Sequence, residues 1–544
     1  MRLHPNPSSI LLAALTLSAL LAAVITNYNG LLLETDSSPS SQRRLLQSLS
    51  IFTDPKSITL RSDSDGGKSG NPKTYSDRIN QDVPLPTYSL KDAIHAATLF
   101  QSRFAILRYD PSNDRFIGYY SKNHLYVSGC GKLNYSIEQL VRILRATFPE
   151  RFTPDSPELV MTVQAGDFPD VMPYRKCISD RDAPCERWLK SAAPVLTFGS
   201  VFTSNWFPNF IAMPMPSYHL PCFVRWAVGQ GICPFFQNTQ AWSTTSWDEL
   251  VPQLVWRGTD FRFLSIVRRL DRPTFEKYID GQIDPNDDPN EAVTAILKKN
   301  FLKFLPRWKG VILTAESEIE ARQTGTLPKV NIKFPHGAVK DKHWDEIGFP
   351  ATGDYIDKAQ LATYKYHIDI GGGGGTTWSG TIDKLKMPGL LLHHETAAKD
   401  YIFDDIQPWV HYVPIKEDLT DVMEKLEWAD THPAEAKQIA DNASTLMEFL
   451  GQNEGFQALF ERHMVKPLAK VIEAYQPMDL KDDAAWDEAF SKLGGDNFER
   501  LIECTTIDEH CHLLEAAKDY DERDPSVALG IMQKRNKLHN EENS

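Results

Sequence analysis

The chain lacks the sequence patterns that mark several large classes of protein. It has seven cysteines but no C-x-x-C pair, which argues against zinc ribbons and thioredoxin-type redox chemistry. It also lacks a basic stripe with interleaved aromatic residues, and its formal net charge is −14. Nucleic-acid binding depends on clustered Lys and Arg, so we expect no nucleic-acid partner.

A long apolar run is present only at the N-terminus. Residues 10–25 are apolar except for Thr16 and Ser18, and extension to Leu33 would approach the roughly 20 residues of a membrane span. A cleaved signal peptide is the alternative, because Ala22 and Ala23 are small residues near a possible cleavage point. Residues 1–33 are therefore predicted to be a signal anchor or a signal peptide. The remainder is expected in the lumen of the Golgi or endoplasmic reticulum, as a single-pass type II membrane protein, or outside the cell.

The rest of the chain divides by composition. Residues 34–85 are rich in Ser, Asp, Gly and Pro and are predicted to form a flexible stem. Residues 86–250 and 251–477 are long enough for two domains with full cores. Residues 478–544 are acidic and helical in composition, and we assign them no function.

Strand and helix patterns alternate between residues 90 and 450, which favours α/β domains with mainly parallel sheets. The expected helices cover residues 90–104, 137–147, 264–270 and 291–304, with two more between 419 and 450, the second beginning at Pro433. The expected strands cover residues 116–120, 124–127, 159–163, 308–314, 366–370 and 390–393.

In an oxidising compartment the cysteines can form disulfides. The close pairs are 177/185, 222/233 and 504/511, which would leave Cys130 over. Of the two N-x-S sequons, Asn134 is expected in an exposed loop before a helix capped at Ser136. Asn442 falls in a helical run, where a glycan would fit poorly.

One stretch predicts a binding site for a phosphate. The β-rich segment 366–370 leads directly into the five glycines 371–375, and a further apolar strand follows at 390–393. Such a turn allows backbone N–H groups to approach a ligand closely, because no Cβ stands in the way. A strand, a glycine turn and a second strand suit a sugar nucleotide or another phosphate.

Four blocks together give a more specific indication. They are Leu159 to Asp167-Phe168-Pro169, Val255-Trp256-Arg257-Gly258, the glycine turn followed by Gln407-Pro408-Trp409-Val410-His411-Tyr412, and a helical segment over 419–450. In this order they resemble the Rumi-type protein O-glycosyltransferases, glycosyltransferase family 90. The resemblance covers roughly residues 90 to 475. It implies a GT-B-like fold, with the active site in a cleft between two Rossmann-like domains.

The resemblance also implies roles for individual residues. Asp167 would be the base that deprotonates an acceptor hydroxyl in an inverting transfer, with Asp170 a weaker candidate. Donor-binding residues would be Arg257, Gly258, Thr259, Arg262, Gly373, Gly374, Trp378, Ser379 and Thr381. The donor would be UDP-glucose or UDP-xylose and the acceptor a protein or polysaccharide, without a catalytic metal or another cofactor. From the residues alone, Asp167 could equally be a turn former before Pro169, and Arg257 could be structural.

At one position the chain departs from the pattern of many relatives, which carry Arg near the position of Thr381. Lys384 and Lys386 are the candidates to replace that positive charge. If neither does, the chain would be a non-catalytic luminal protein that binds a UDP-sugar or glycan.

A third hypothesis is a metal-dependent transferase that uses the D-x-D pair Asp180 and Asp182. The adjacent His393 and His394 are not expected to bind a metal together, because neighbouring residues of a strand point to opposite faces.

Overall fold

The computed structural model describes residues 85–99, 104–121, 130–165, 193–201, 210–214, 219–237, 245–261, 263, 270–339, 343–373, 375–377, 379–396, 398–478, 480, 482–494, 498–505 and 512–513. All of them belong to one compact unit, residues 78–544. The predicted anchor and nearly all of the predicted stem lie outside the described residues, as do residues 264–269 of the expected helix 264–270 and the expected strand 124–127. Within the described part of the chain, no helix is both long enough and apolar enough to cross a membrane.

The first sheet has seven strands in the order β15-β14-β2-β1-β3-β4-β6. They are β1 Phe104–Asp110, β2 Arg115–Ser121, β3 Leu159–Gln164, β4 Val195–Thr197, β6 Phe210–Ala212, β14 Phe498–Thr505 and β15 His512–Leu513. Only the pairs β3–β4 and β4–β6 are parallel. The expectation of a mainly parallel sheet is therefore wrong here. A short turn with Asp114 in the left-handed region (φ 45°) joins β1 to β2, and so short a connection permits only antiparallel pairing.

Part of the first sheet comes from the C-terminal segment that was expected to be only acidic and helical. Helix α15, Asp483–Gly494, is present, but strand β14 follows it and pairs with β2. The segment is fastened by Asp483, which accepts hydrogen bonds from Arg108 at 2.9 Å and Arg115 at 2.5 Å. Phe490 stacks on Tyr119 with ring centroids 3.9 Å apart. The C-terminal segment is thus an integral part of this sheet.

The second sheet contains six strands in the order β9-β8-β7-β10-β11-β13, and all five pairings are parallel. They are β7 Val251–Arg257, β8 Val330–Pro335, β9 Thr352–Gly353, β10 Tyr364–Asp369, β11 Leu390–His394 and β13 Val413–Ile415. The predicted strands before and after the glycine turn are confirmed as β10 and β11. Every residue of β11 is buried, as expected for a strand covered on both faces.

Helices lie beside and between these strands. Those of the first half are α1 Leu90–Leu99, α2 Cys130–Thr147, α3 Leu220–Ala227, α4 Pro234–Gln237, α5 Phe275–Tyr278, α6 Pro289–Lys299 and α7 Pro306–Thr324. Those of the second half are α8 His343–Glu346, α9 Lys358–Leu361, α10 Ser379–Leu385, α11 Val422–Thr431, α12 Pro433–Leu450, α13 Asn453–Phe460, α14 Lys466–Ala474 and α15. The predicted start of a helix at Pro433 is confirmed, since proline fits the first turn of a helix.

The predicted strand 308–314 is wrong, because these residues lie in helix α7. The helix begins at Pro306 and ends before Gly325, which takes the left-handed conformation (φ 68°) and donates its N–H to Ala321. Residues 308–315 are all buried, including Lys309 and Thr314, so this part of the helix shows no amphipathic pattern. A short apolar run of this kind does not distinguish a buried helix from a buried strand.

Three further expectations concern single residues. Asn134 was expected in an exposed loop, but it lies inside α2 and is only 5% exposed, so the expected exposed sequon is wrong. The Cys222–Cys233 disulfide is confirmed. Cys504 is also disulfide-bonded, whereas residues 177, 185 and 511 lie outside the described residues.

A short two-stranded ribbon connects the two sheets. Strand β5, Ser200–Val201, follows the carboxyl end of β4, and strand β12, Ala398–Lys399, follows the carboxyl end of β11. The two strands pair antiparallel, Ala398 opposite Val201. The carboxyl ends of β4 and β11 therefore lie close together.

The packing of α7 on the second sheet gives a first prediction. A Cβ at Gly310 would lie 2.6 Å from Cγ2 of Ile332 and 3.2 Å from Cδ1 of Ile370. We expect Gly310→Val to lower the free energy of unfolding by about 1–3 kcal/mol, because overpacking displaces neighbouring side chains. Urea denaturation measures this effect. Glu320→Val on the exposed face of α7 is the control, with an expected change within about 0.5 kcal/mol, and equal effects of the two changes would refute the packing argument.

Candidate functional site

The strand order of the second sheet determines where a ligand can bind. The chain enters the sheet at β7, continues outward to β8 and β9, and then returns to the other side of β7 to form β10, β11 and β13. In such doubly wound sheets, the crevice for ligands opens outside the carboxyl ends of the two strands at which the order reverses. These strands are β7, which is followed by Gly258 and Thr259, and β10, which is followed by the glycine turn 371–375.

The glycine turn folds back on itself. Gly375 donates its N–H to the carbonyl of Gly372 at 3.0 Å and has φ +83°, a conformation that favours glycine. A Cβ at Gly371 would lie 2.5 Å from the Gly375 carbonyl oxygen. Gly373 is exposed at the tip of the turn. The turn therefore requires glycine at two positions and presents its tip to solvent.

Two histidines of β11 fix the turn and the end of β10. His394 accepts a hydrogen bond from Gly371 N–H at 3.1 Å, and its other ring nitrogen donates to the Glu417 carbonyl at 2.9 Å. Burial lowers the pKa of His394 to about 4, so the ring is neutral. On the opposite face of β11, His393 Nδ1 lies 2.8 Å from a carboxylate oxygen of the buried Asp369. The expectation that the two rings point apart is confirmed, and each ring bonds to the protein itself.

Asp369 is the centre of a buried polar cluster at the end of β10. Besides His393, it accepts hydrogen bonds from Thr381 at 2.6 Å and from Thr377 at 3.3 Å. Burial alone would raise the pKa of Asp369, but His393, Lys384 and Thr381 lower it below its ordinary value. The hydroxyl of Thr381 thus faces inward and is fully buried.

The two lysines proposed to replace the missing Arg lie in different places. Lys384 is half-buried, and its Nζ donates to the Gly380 carbonyl at 3.2 Å in the first turn of α10, which follows the glycine turn. Burial lowers the pKa of Lys384, against the opposing effects of Asp369 and Asp383. Lys386 instead donates to the Phe235 carbonyl, and its Nζ lies 3.7 Å from the centroid of the Phe235 ring. Lys384 is therefore the lysine beside the glycine turn.

A second cation, Arg307, connects the two sides of the crevice. It lies in the first turn of α7, and its guanidinium donates to the Ile370 carbonyl at 3.1 and 3.3 Å and to the Thr259 carbonyl. A Cβ at Gly372 would lie 2.9 Å from one of its terminal nitrogens. Burial lowers the pKa of Arg307 to about 10, with Asp260 opposing the shift. The charge is thus buried among carbonyl groups, directly beneath the glycine turn.

The predicted donor-binding Arg257 lies at the end of β7, but its guanidinium points towards β8 and β9, whereas the glycine turn follows β10 on the other side of β7. Its guanidinium donates to the carbonyls of Trp256, Asn331 and Asp354, each at 2.9 Å. Position 258 requires glycine, because a Cβ there would lie 2.4 Å from an atom of the Trp256 ring. Ser379 begins α10. Among the predicted residues that the structure describes, Gly258 and Thr259 follow β7 on one side of the crevice, and Gly373 lies in the glycine turn on the other.

Several predicted residues lie outside the described residues. They are Asp167, Asp170, Asp180, Asp182, Arg262, Gly374 and Trp378. Among the described side chains, no group of three or more His, Cys, Asp or Glu is placed to hold a metal ion.

Sequence reasoning missed Arg307, Asp369 and His394. The signal for Arg307 was Pro306 at the start of a helix, which the incorrect strand at 308–314 concealed.

One further buried carboxyl group lies at the ribbon that connects the sheets. Asp400 follows β12 and is completely buried. Burial raises the pKa of Asp400 to about 7, and among the described groups only the backbone N–H of Tyr401 opposes this shift. The carboxyl group is therefore largely protonated below neutral pH and becomes charged, at a cost in free energy, above it.

The Thr381 hydroxyl gives a second prediction. Thr381→Val removes a hydrogen bond to a buried carboxylate and should lower the free energy of unfolding by about 1–3 kcal/mol. Thr445→Val is a matched control, because Thr445 donates to a backbone carbonyl on the surface of α12. Urea denaturation compares the two variants. If Thr381→Val kept full stability but weakened UDP binding, the hydroxyl would serve a ligand rather than Asp369.

Asp400 gives a third prediction, on pH dependence. Because its folded pKa lies above the unfolded value, the folded state loses stability as the pH rises from about 4 to 7. Asp400→Asn should remove this penalty. The free energy of unfolding of the variant should then rise relative to that of the parent protein by up to about 1.4 kcal/mol per pH unit over that range. Denaturation curves at several pH values measure the difference.

Asp405 serves as a control of opposite sign. Burial would raise its pKa, but His463 and Arg462 hold it below its ordinary value. Asp405→Asn should therefore lower the free energy of unfolding at pH 7. In acid the stability of this variant should approach that of the parent protein. A difference between Asp400→Asn and the parent protein that does not change with pH would contradict the assignment of Asp400.

Comparison with known proteins gives matches in the part of the chain that carries this site. Residues 339–473 match the model of a family described as Glycosyl transferase family 90. Protein O-glucosyltransferase 2 of Danio rerio is 36% identical over 143 residues, which cover 24% of this chain and 26% of that protein. For Homo sapiens protein O-glucosyltransferase 3, the identity is 32% over 95 residues, or 16% of this chain and 17% of that protein. For Homo sapiens protein O-glucosyltransferase 1, the identity is 29% over 110 residues, which cover 19% of this chain and 27% of that protein.

The chain thus spans about a quarter or less of the length of the curated relatives that it matches. The matched residues include the glycine turn, Asp369, His394 and the Gln407–Tyr412 segment. The resemblance to glycosyltransferase family 90 is therefore confirmed for residues 339–473, the segment that forms one side of the crevice.

Proposed function

We propose that the chain is a glycosyltransferase that moves a sugar, glucose or xylose, from a UDP-sugar to a hydroxyl group of a protein or glycan. The observation that carries this proposal is the buried Arg307 beneath the glycine turn, at the switch point of a doubly wound sheet. A positive charge held among carbonyl groups favours an anion in the crevice. The match of residues 339–473 to a glycosyltransferase family supports a nucleotide sugar as that anion.

The donor diphosphate would lie between the loop after β7 and the glycine turn. Arg307 and Lys384 offer positive charge on the two sides of the turn, and exposed Gly373 allows backbone N–H groups to approach the phosphates. Both cations would stabilise the negative charge that develops on UDP as it leaves. These charges make a catalytic metal unnecessary in this proposal, and a GT-B-like cleft between the two sheets would contain the reaction.

Asp167 would act as the base. The acceptor oxygen attacks the anomeric carbon, the bond from that carbon to the phosphate oxygen breaks, and the hydroxyl proton passes to the Asp167 carboxylate. Attack from the face opposite the leaving UDP inverts the anomeric carbon. In the sequence Asp167 comes three residues after the end of β3, and β4, the neighbour of β3, leads into the ribbon joined to the second sheet. This position in the sequence supports Asp167 as the base in the proposal.

The Cys222–Cys233 disulfide supports a location in the secretory pathway, because disulfides persist in oxidising compartments. We propose the lumen of the Golgi or endoplasmic reticulum, with residues 1–33 as the membrane anchor. A secreted protein with a cleaved signal peptide is the alternative.

A second candidate function rests on Thr381. Threonine carries no charge and its hydroxyl is bonded to Asp369, so this position adds no positive charge to the crevice. If Lys384 does not compensate, the chain is a binding protein for a UDP-sugar or glycan without transferase activity. A metal-dependent transferase that uses Asp180 and Asp182 is the third hypothesis.

The test is release of UDP from a panel of UDP-sugars by the full chain, with and without EDTA. We expect turnover that survives EDTA and falls by about 100-fold or more in Asp167→Asn, the range that general-base catalysis contributes. Arg307→Lys keeps the charge but loses the forked geometry and should weaken UDP binding about 10-fold. Asp418→Asn, on a surface loop, is the control variant.

Each hypothesis has a distinct outcome. Activity that disappears with EDTA and returns with Mn²⁺ would favour the metal-dependent transferase. UDP binding by calorimetry without turnover, on a panel that includes protein and glycan acceptors, would favour the binding protein. If no UDP-sugar bound at all, the proposed function would be wrong.

A further inference from the structure

Exposed aromatic rings are few in the described part of the chain, and two of them lie at the same edge of the second sheet. Phe261 is 59% exposed and Tyr355 is 74% exposed. Phe261 follows the carboxyl end of β7, and Tyr355 follows that of β9. The third exposed ring, Trp409, precedes β13 and so lies at its amino end. An exposed Phe leaves apolar surface in water, and this one lies beside the crevice.

The backbone that leads into Phe261 is held by hydrogen bonds. Its N–H donates to the Thr259 carbonyl at 3.0 Å, and Arg307 holds the same carbonyl. Asp260 pairs with Arg272, with Nε and Oδ2 2.8 Å apart, and its carbonyl accepts a further bond from that guanidinium at 2.6 Å. The backbone on the N-terminal side of Phe261 is therefore fixed while the ring stays in solvent.

Phe261 also lies next to the buried charge. The Arg307 guanidinium carbon is 5.0 Å from the centroid of Trp256 and 5.7 Å from that of Phe261. Trp256 is buried, at 3% exposed, whereas Phe261 is the exposed member of the pair. A phosphate held at the glycine turn would thus have a free aromatic face as its neighbour on the β7 side.

The topology decides which end of a nucleotide sugar meets that face. The ribbon to the first sheet follows β11, on the other side of the glycine turn from β7. In the proposed function the sugar faces the first sheet, because the proposed base Asp167 follows β3 of that sheet in the sequence. The nucleoside then extends in the opposite direction, over β7, where Phe261 lies.

We propose that Phe261 is the platform on which the uracil base of the bound nucleotide stacks. This inference rests on the proposed function, since it assumes that a uridine nucleotide occupies the crevice. A phenyl ring offers no hydrogen bond, so it recognises the flat face of the base rather than its edge. Stacking of a base on an aromatic side chain contributes measurably to nucleotide affinity, and it depends little on which base is bound.

The experiment measures binding of UDP, UDP-glucose and pyrophosphate to the full chain by calorimetry. Phe261→Ala should weaken UDP and UDP-glucose equally, by about 10-fold, and leave pyrophosphate unchanged. Phe261→Tyr should restore binding to within about twofold, because it keeps the ring. Tyr355→Ala is the matched control, since it removes an exposed ring two strands away from β7 in the same sheet, and it should bind all three ligands like the parent protein.

The outcomes separate this inference from the function on which it rests. If the parent protein binds UDP and Phe261→Ala binds it equally well, the platform is wrong and the transferase proposal stands. A loss confined to UDP-glucose would assign the ring to the sugar and overturn the inference. Loss of pyrophosphate binding to the same extent would show that the substitution distorts the phosphate site, which also overturns it. If the parent protein binds none of the three, both proposals fail.

Discussion

The burial of one guanidinium between two loops determines the form of the candidate site. Arg307 is held by carbonyl groups from the loop after β7 and from the end of β10, so these segments keep a fixed separation. Removal of a charge from water is costly unless its hydrogen bonds are replaced, and here backbone carbonyls replace them without neutralising the charge. The helix that carries Arg307 packs closely on the sheet through Gly310, which fixes the position of the cation relative to the strands.

On the other side of the glycine turn, the polar groups are balanced within the protein. Asp369 has a histidine and two threonines as partners, and His394 supports the first glycine of the turn while remaining neutral. These residues hold the turn from below and leave its tip exposed. Buried groups of β10 and β11 thus set the geometry of the turn from one side, as Arg307 does from beneath it.

Part of this arrangement was predictable from sequence. The β-rich segment that leads into five glycines predicts the strand before the turn, the apolar run at 390–393 predicts the strand after it, and Pro433 predicts the start of α12. The site was only partly predictable. The resemblance implies that Arg257 binds the donor, and in the structure its guanidinium faces β8 and β9. Arg307 was missed because α7 is buried on all sides in its first half, so its sequence shows no helical periodicity. The antiparallel pairs β1–β3 and β2–β14 were missed because pairing between distant segments leaves no local pattern.

The return of the C-terminal segment to the first sheet has a consequence for the synthesis of the protein. Arg115 on β2 bonds to Glu503 on β14, a partner 388 residues later in the chain. At a synthesis rate of about 5–20 residues per second, β2 waits roughly 20–80 s for its neighbour. During that time the second sheet, which lies entirely between these segments, can already fold. The edge of β2 meanwhile offers unpaired backbone groups to any other strand. The newly made chain therefore depends on the folding environment of its compartment to keep that edge free until its last strands emerge.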